Sequence, residues 1–312
     1  KKVEQEAGED GVSFIEGMRL LAGAPLDPDK EGLFNGPGAA WAEVHAGAWL
    51  EERLKELREP PSLGGAPAGN ALRTTLRPYQ ETGVTWLRFL AKLGLGACLA
   101  DDMGLGKTVQ VIALLLLLKK EQEKSKAPPA LLVLPASLLS NWKSELARFA
   151  PTLSVRFAHP SEIGAEKMAK AAADPGAFLD GADAVLTTYG MLARLEWLSS
   201  AEWSLVVLDE AQAIKNPAAR QTRAVKRLKA RSRIVLTGTP VENRLSDLWS
   251  IFDFLCPGLL GSAKGFGGFV KRLEDRDQDQ YAPLRRLVGP YILRRLKTDK
   301  HVISDLPDKP EV

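Results

Sequence analysis

From Ala97 to Leu236 the chain alternates short apolar runs with longer segments of helical period, and that alternation admits few folds: it is how a parallel sheet with crossover helices reads. Strands are expected at Ala97–Ala100, Leu131–Leu134, Val155–Ala158, Ala184–Thr187, Leu205–Leu208 and Ile234–Leu236. Helices are expected between them at Lys107–Lys119, Leu138–Phe149, Ser161–Ala173 and Arg220–Lys229. Beyond Thr237 the pattern turns helical, through Leu245–Leu255 and again around Tyr281–Lys297, with an acidic break at Glu274–Asp279. The fold class is α/β, a central and mainly parallel sheet flanked by helices, and no solenoid or propeller repeat is present.

A Pro/Gly cluster from Pro60 to Gly69 marks a boundary, so the main domain is expected to start near Leu72. Ahead of it, Trp41–Arg58 places Val44, Ala48, Trp49, Leu54 and Leu57 on one face at helical spacing. The division is 1–70, an accessory segment and linker; 71–256, the α/β domain; and 257–312, a helical extension. The chain begins Lys1-Lys2-Val3 with neither an initiator Met nor an apolar leader, and is read as an excised fragment.

Composition narrows the class. With 45% hydrophobic and 26% charged residues, disorder is not the default, and no apolar run approaches the roughly 18 residues that cross a bilayer. Cys98 and Cys256 stand far apart without clustered histidines, which leaves neither a disulfide framework nor zinc spacing. They are expected to be core thiols in a reducing compartment, and the location cytoplasmic, nucleoid-associated if the source is bacterial. Net charge is only +3, but residues 1–60 carry 7 Lys/Arg against 13 Asp/Glu, a net of −6 that leaves +9 for the rest. A nucleic-acid footprint therefore belongs to the later segment.

Three motifs carry chemistry. Asp101-Asp102-Met103-Gly104-Leu105-Gly106-Lys107-Thr108 follows a strand and opens a helix, the setting in which backbone amides and a helix N-terminus surround phosphates. Lys107 would reach the β- and γ-phosphates and Thr108 would hold Mg²⁺, although Asp101 stands where the common pattern has its first Gly. The plainer reading is a strand-to-helix turn with a surface lysine. After Leu205–Leu208, Asp209 and Glu210 end a buried strand, where one carboxylate can hold Mg²⁺ and the other deprotonate water; the alternative is an acidic helix cap. After the next strand, Thr237-Gly238-Thr239-Pro240 suits a γ-phosphate sensor or a plain turn.

In this order the motifs resemble the Swi/Snf ATPases of helicase superfamily two, from about Leu76 to the end of the chain. The resemblance implies a RecA-like P-loop NTPase domain, the first of two motor lobes. Leu76-Arg77-Pro78-Tyr79-Gln80 looks like the family's glutamine motif, which implies that Gln80, with Arg77, reads adenine. The acidic residue at Asp101 becomes a family mark. Leu132–Trp142 looks like motif Ia and Leu186–Tyr189 like motif Ib, which touch one DNA strand in the family, implying contacts from Ser137, Asn141, Thr188 and Tyr189. Trp142 itself is expected to be a packing aromatic. Asp209–Asn216 resembles motif II, with Gln212 where many members have a titratable His, and Leu236–Asn243 resembles motif III, with Glu242-Asn243-Arg244 varying its polar run; Asn243 would add a DNA contact. Tyr291–Lys297 and Asp305-Leu306-Pro307 look like the segment between the lobes, and residues 257–312 like a family-specific insertion.

The implied function is ATP-dependent translocation on double-stranded DNA through its phosphates, with ATP and Mg²⁺ as ligands and a second RecA-like lobe as partner. That lobe, with its arginine fingers, would lie past Val312, so the fragment is expected to be nearly inactive alone. The alternatives are a strand-separating helicase and a nucleotide- and DNA-binding module without turnover. The basic run Arg220, Arg223, Lys226, Arg227, Lys229, Arg231 and Arg233 is expected to be a solvated face, since its helix carries no DNA motif.

Overall fold

Strands buried along their whole length need cover on both faces, which a parallel sheet between helix layers supplies. The computed structural model, which describes residues 71–122, 127–238, 245–274 and 281–299, has that architecture. Seven strands run in the order β3-β4-β2-β5-β6-β1-β7, and every pairing is parallel. They are β1 (Ala97–Leu99), β2 (Ala130–Leu134), β3 (Val155–Phe157), β4 (Ala184–Thr188), β5 (Glu202–Leu208), β6 (Lys229–Leu236) and β7 (Ile292–Leu293). Strands β1, β2 and β4 are buried at every position.

Helix α1 (Pro78–Lys92) starts with Pro at its first position, where a missing N–H costs nothing, and buries Val84, Leu87 and Leu90. Helix α2 (Lys107–Gln122) is apolar nearly all round, with Val111 to Leu117 all buried, and is a core helix rather than a surface one. Helix α3 (Leu139–Phe149) is amphipathic and turns Leu139, Trp142 and Leu146 inward. The Leu245–Leu255 helix packs Phe252 and Phe254 beside the sheet.

The expected strands are all present, two of them longer than their apolar runs. β5 and β6 extend back to Glu202 and Lys229 through residues that mix buried Trp203 and Ser232 with exposed polar neighbours and so carry no apolar run. The helix expected over Arg220–Lys229 consequently ends at Lys226, and Lys229 pairs with Glu202 at the amino edge of the sheet. The larger correction lies at Tyr281–Lys297. Its helix covers only Ala282–Val288; Gly289-Pro290 then forms a 3₁₀ turn, and β7 joins the sheet beside β1. Proline cannot continue the helical ladder, and the freed chain finds its hydrogen bonds at an open sheet edge. The expected Trp41–Arg58 helix and the Glu274–Asp279 break fall outside the described residues, save Glu274, which still belongs to the helix Ala263–Glu274.

Both cysteines are buried free thiols, and burial pushes each up to about 12. Near pH 8 neither is a thiolate in the native chain. A thiol reagent should therefore label none rapidly in buffer and both in denaturant; fast labelling of native protein would contradict this packing. Among the described residues no helix is long and apolar enough to cross a membrane.

Candidate functional site

Because all strands are parallel, their carboxyl ends share one edge, where ligands of open α/β sheets sit. β6 lies between β5 and β1, with Leu208 opposite Val235 and Leu99 opposite Leu236. That register brings Asp209, Thr237 and the loop after β1 side by side. Asp209 and the loop border an open cleft of about 600 Å³ whose lining includes Arg77, Gln80, Gly104, Lys107, Thr108 and Asp209. The volume is in the range of small-ligand sites.

The loop from Asp101 to Gly106 depends on two glycines in the left-handed region, Gly104 at φ 82° and Gly106 at φ 77°. At Gly106 a Cβ would also lie 2.4 Å from the Gln80 amide nitrogen. Lys107 opens α2 and its Nζ donates to the carbonyls of Asp101, at 2.6 Å, and Asp102, at 3.3 Å. Burial lowers its pKa, against the opposing pull of Asp101, Glu210, Asp209 and Asp102. Met103 is 72% exposed on the loop crest, whereas Leu105 is buried beneath it.

Asp209 is held on three sides. Its Oδ2 accepts from Trp142 Nε1 at 2.8 Å, its Oδ1 from the Glu210 N–H at 2.9 Å, and its carbonyl from the Tyr189 hydroxyl at 2.8 Å. Burial raises its pKa, opposed by the Trp142 bond. Glu210 has φ 50°, the one non-glycine residue at positive φ among the described residues; such strain concentrates at functional sites. Gln212 Nε2 donates to Glu210 Oε2 at 2.7 Å, and its Oε1 lies 3.5 Å from the Thr237 hydroxyl, so one amide links Glu210 to Thr237.

Several expectations change. Gln80 is 8% exposed and lines the cleft; its Oε1 accepts from the Arg77 N–H at 2.9 Å and its Nε2 donates to the Leu105 carbonyl at 3.1 Å, so it also braces the loop. Asp101 is fully buried and reaches the cleft only through its backbone, its carboxylate being bonded to Arg295. Asp102 Oδ2 accepts from the Lys297 N–H at 3.0 Å. Arg77 Nη1 is buried without a hydrogen-bond partner, and its residue lines the cleft.

Of the residues expected at DNA, Ser137 and Asn141 are exposed at the carboxyl end of β2, where Asn141 donates to Glu145. Thr188 and Tyr189 turn inward: the Thr188 hydroxyl caps the Met191 N–H, and Tyr189 is 6% exposed with its hydroxyl on Asp209. Both hydroxyls thus serve as internal supports, that of Thr188 as an acceptor and that of Tyr189 as a donor. Thr239 and Asn243 fall outside the described residues. The basic run is largely solvated, as expected, with Arg220, Arg223, Arg227, Lys229 and Arg231 exposed; Lys226 pairs with Asp253 at 2.7 Å, Arg220 donates to the Ala193 carbonyl, and Arg233 lies over Phe254.

Residues 79–312 match the SNF2-related domain. The chain belongs to the SNF2-related family. It is 46% identical, over its whole length, to a Bacillus subtilis protein named as an ATP-dependent helicase/translocase, YwqA, and spans 33% of that protein. It is 42% identical to the Zorya protein ZorD of Escherichia coli, over 76% of this chain and 24% of that one. A solved structure titled as the Sulfolobus solfataricus SWI2/SNF2 ATPase core in complex with dsDNA matches at 45% identity and a TM-score of 0.67, over 76% of this chain and 48% of that one. The chain thus spans less than half of each relative. It is a RecA-like lobe of a helicase superfamily two ATPase.

For an SNF2-related lobe, the residues that motif reading passed over are those acting through others. Trp142 was expected to pack, and it does so fully buried, but it is also the donor to Asp209. Glu145, one helical turn after Asn141, lines the cleft with a pKa raised by burial. Gln110 and Arg295 meet beside the Asp101–Gly106 loop. Their only sequence signal is a polar residue inside an apolar stretch or a charge near a strand, which many surface residues share.

Proposed function

We propose that the chain is the ATP-binding lobe of a double-stranded DNA translocase or remodeller, hydrolysing ATP to ADP and phosphate when a second RecA-like lobe joins it. The observation that carries this reading is one cleft bordered by Lys107, Asp209 and Glu210, with Thr237 between their strands. The start of α2 and Lys107 receive the β- and γ-phosphates, and Arg77 offers its unpartnered donor to the same ligand. Asp209 and Thr108 are the oxygen donors suited to Mg²⁺, which when bound neutralises phosphate charge. Glu210 takes the proton of the attacking water, and Gln212 holds its carboxylate toward Thr237.

DNA is the second ligand in this reading. The likeness to a core solved with dsDNA supports it, as does the exposure of Ser137 and Asn141 on one edge. Asp209 hangs between Trp142 and Tyr189, the residues that follow Asn141 and Thr188. A shift of either edge on DNA would move the carboxylate, a route by which DNA stimulates turnover.

Alone, the 312-residue chain is expected to bind ATP weakly and to turn it over negligibly, since charge from a second lobe is worth about 10³ to 10⁵ in rate at related sites. The test is phosphate release by purified chain and by its Lys107→Ala variant, with and without duplex DNA. DNA-stimulated release that vanishes in the variant would show that one lobe suffices. Salt-sensitive duplex binding should survive the loss of turnover; its absence at low salt would count against the DNA assignment.

A further inference from the structure

Arg295 lies nearly two hundred residues from the phosphate loop in sequence and in direct contact with it in space. It is 7% exposed and Asp101 is 0% exposed. Arg295 Nε donates to Asp101 Oδ1 at 2.8 Å, Nη2 donates to Asp101 Oδ2, and the Arg295 N–H also reaches Oδ1 at 3.2 Å. The rest of the guanidinium is used as well: Nη2 donates to Gln110 Oε1 at 2.8 Å and Nη1 to the Tyr79 carbonyl, with the Tyr79 ring 5.1 Å away. One planar fork thus joins the glutamine motif, the first loop residue and helix α2. Gly83 makes room for it, since a Cβ there would lie 2.0 Å from Gln110 Oε1 and 2.8 Å from Arg295 Nη2.

Around this fork the backbone of residues 293–297 is laced to the loop. The Ala100 N–H bonds the Leu293 carbonyl at 2.7 Å, the Asp102 N–H bonds the Arg295 carbonyl at 3.0 Å, and the Lys297 N–H bonds Asp102 Oδ2 at 3.0 Å. The same Asp101 and Asp102 present their carbonyls to Lys107 Nζ. Arg295 therefore grips the outer side of the two residues whose inner side meets the phosphate lysine.

We infer that Arg295 is a positioning residue for nucleotide: by fixing Asp101 it holds the phosphate loop in its receiving shape, and the segment after β7 that bears it is coupled to the ligand. This rests on the phosphate-loop reading above. The position where most such loops have glycine is acidic here because it answers a buried guanidinium; an unpaired carboxylate at 0% exposure would be untenable. By reciprocity, whatever docking of β7 adds to nucleotide affinity, nucleotide adds to docking of β7. Chain continuing beyond Asp299 would thus receive the nucleotide state through a short, rigid segment.

The experiment uses the 312-residue chain with Mg²⁺ and ADP as probe, well below each variant's unfolding midpoint. Arg295→Met and Asp101→Asn are expected to weaken ADP binding about tenfold, the worth of a charge-assisted hydrogen bond, and Lys107→Ala at least as much. Arg295→Lys keeps the buried charge, guarding against a folding failure, but loses the fork; it too should bind more weakly, with faster amide exchange at 101–106. In wild type, ADP should slow exchange of the Arg295 and Lys297 amides. If folded Arg295→Met and Arg295→Lys bind ADP as wild type does while Lys107→Ala fails, the positioning role is overturned and the phosphate loop stands. If wild type and Lys107→Ala behave alike, both readings fall together.

Discussion

Lys107→Ala is expected to weaken nucleotide binding by about one to two orders of magnitude and, in a polypeptide carrying a second motor lobe, to abolish ATP hydrolysis. The side chain's contacts are two carbonyls of its own loop, at 2.6 and 3.3 Å, rather than core packing. Its removal takes away the cation that faces the phosphates and leaves the apolar stretch of α2 from Val111 to Leu117 untouched. The circular dichroism and the cooperative melt should therefore be those of wild type. Titration with ADP and steady-state phosphate release read the effect. Wild-type turnover in the variant would sink the phosphate-loop assignment.

Glu210→Gln, in the same two-lobed polypeptide, is expected to bind nucleotide nearly as wild type and to lose about 10²- to 10⁴-fold in turnover, the usual loss when a general base is removed. Its neighbour should behave differently. Asp209 is fixed by Trp142, Tyr189 and the Glu210 N–H, and lines the cleft together with Thr108. Asp209→Asn should weaken Mg²⁺-dependent binding and, because Trp142 Nε1 would then meet an amide able to turn its NH₂ inward, cost stability of about 1–3 kcal/mol. Binding titrations with and without Mg²⁺, beside single-turnover hydrolysis, separate the two. Equal binding defects in both variants would contradict the division between metal ligand and base.

The α/β class, the strands and the three motif positions were legible in the amino-acid sequence because each is a local matter. A strand buried on both faces must be an apolar run, as Leu131–Leu134 is, and a loop that approaches an anion needs residues free to adopt positive φ, as Gly104 and Gly106 do. Motif order then implied which edge of the sheet would hold the chemistry, and the family comparison bore out that resemblance. The amino halves of β5 and β6 were not legible, since their buried and exposed residues are mixed and form no apolar run.

What lies between motifs is decided by tertiary structure. Thr188 and Tyr189 carry hydroxyls suited to phosphate, and only the fold shows that one caps a short helix and the other bonds Asp209. Tyr281–Lys297 reads as helical from its pattern. Its Ile292–Leu293 becomes a short strand instead because β1 presents an open edge, and the following Arg295 is held by the buried Asp101 carboxylate, both supplied by residues nearly two hundred positions earlier. Periodicity and spacing report what a segment can bury; which groups will be unpaired beside it depends on partners brought by the rest of the chain. By itself, then, the sequence determined the layers of this SNF2-related lobe and the residue types at its cleft, while the assembled sheet alone decided that Arg295 pairs with Asp101 and that Trp142 and Tyr189 hold Asp209.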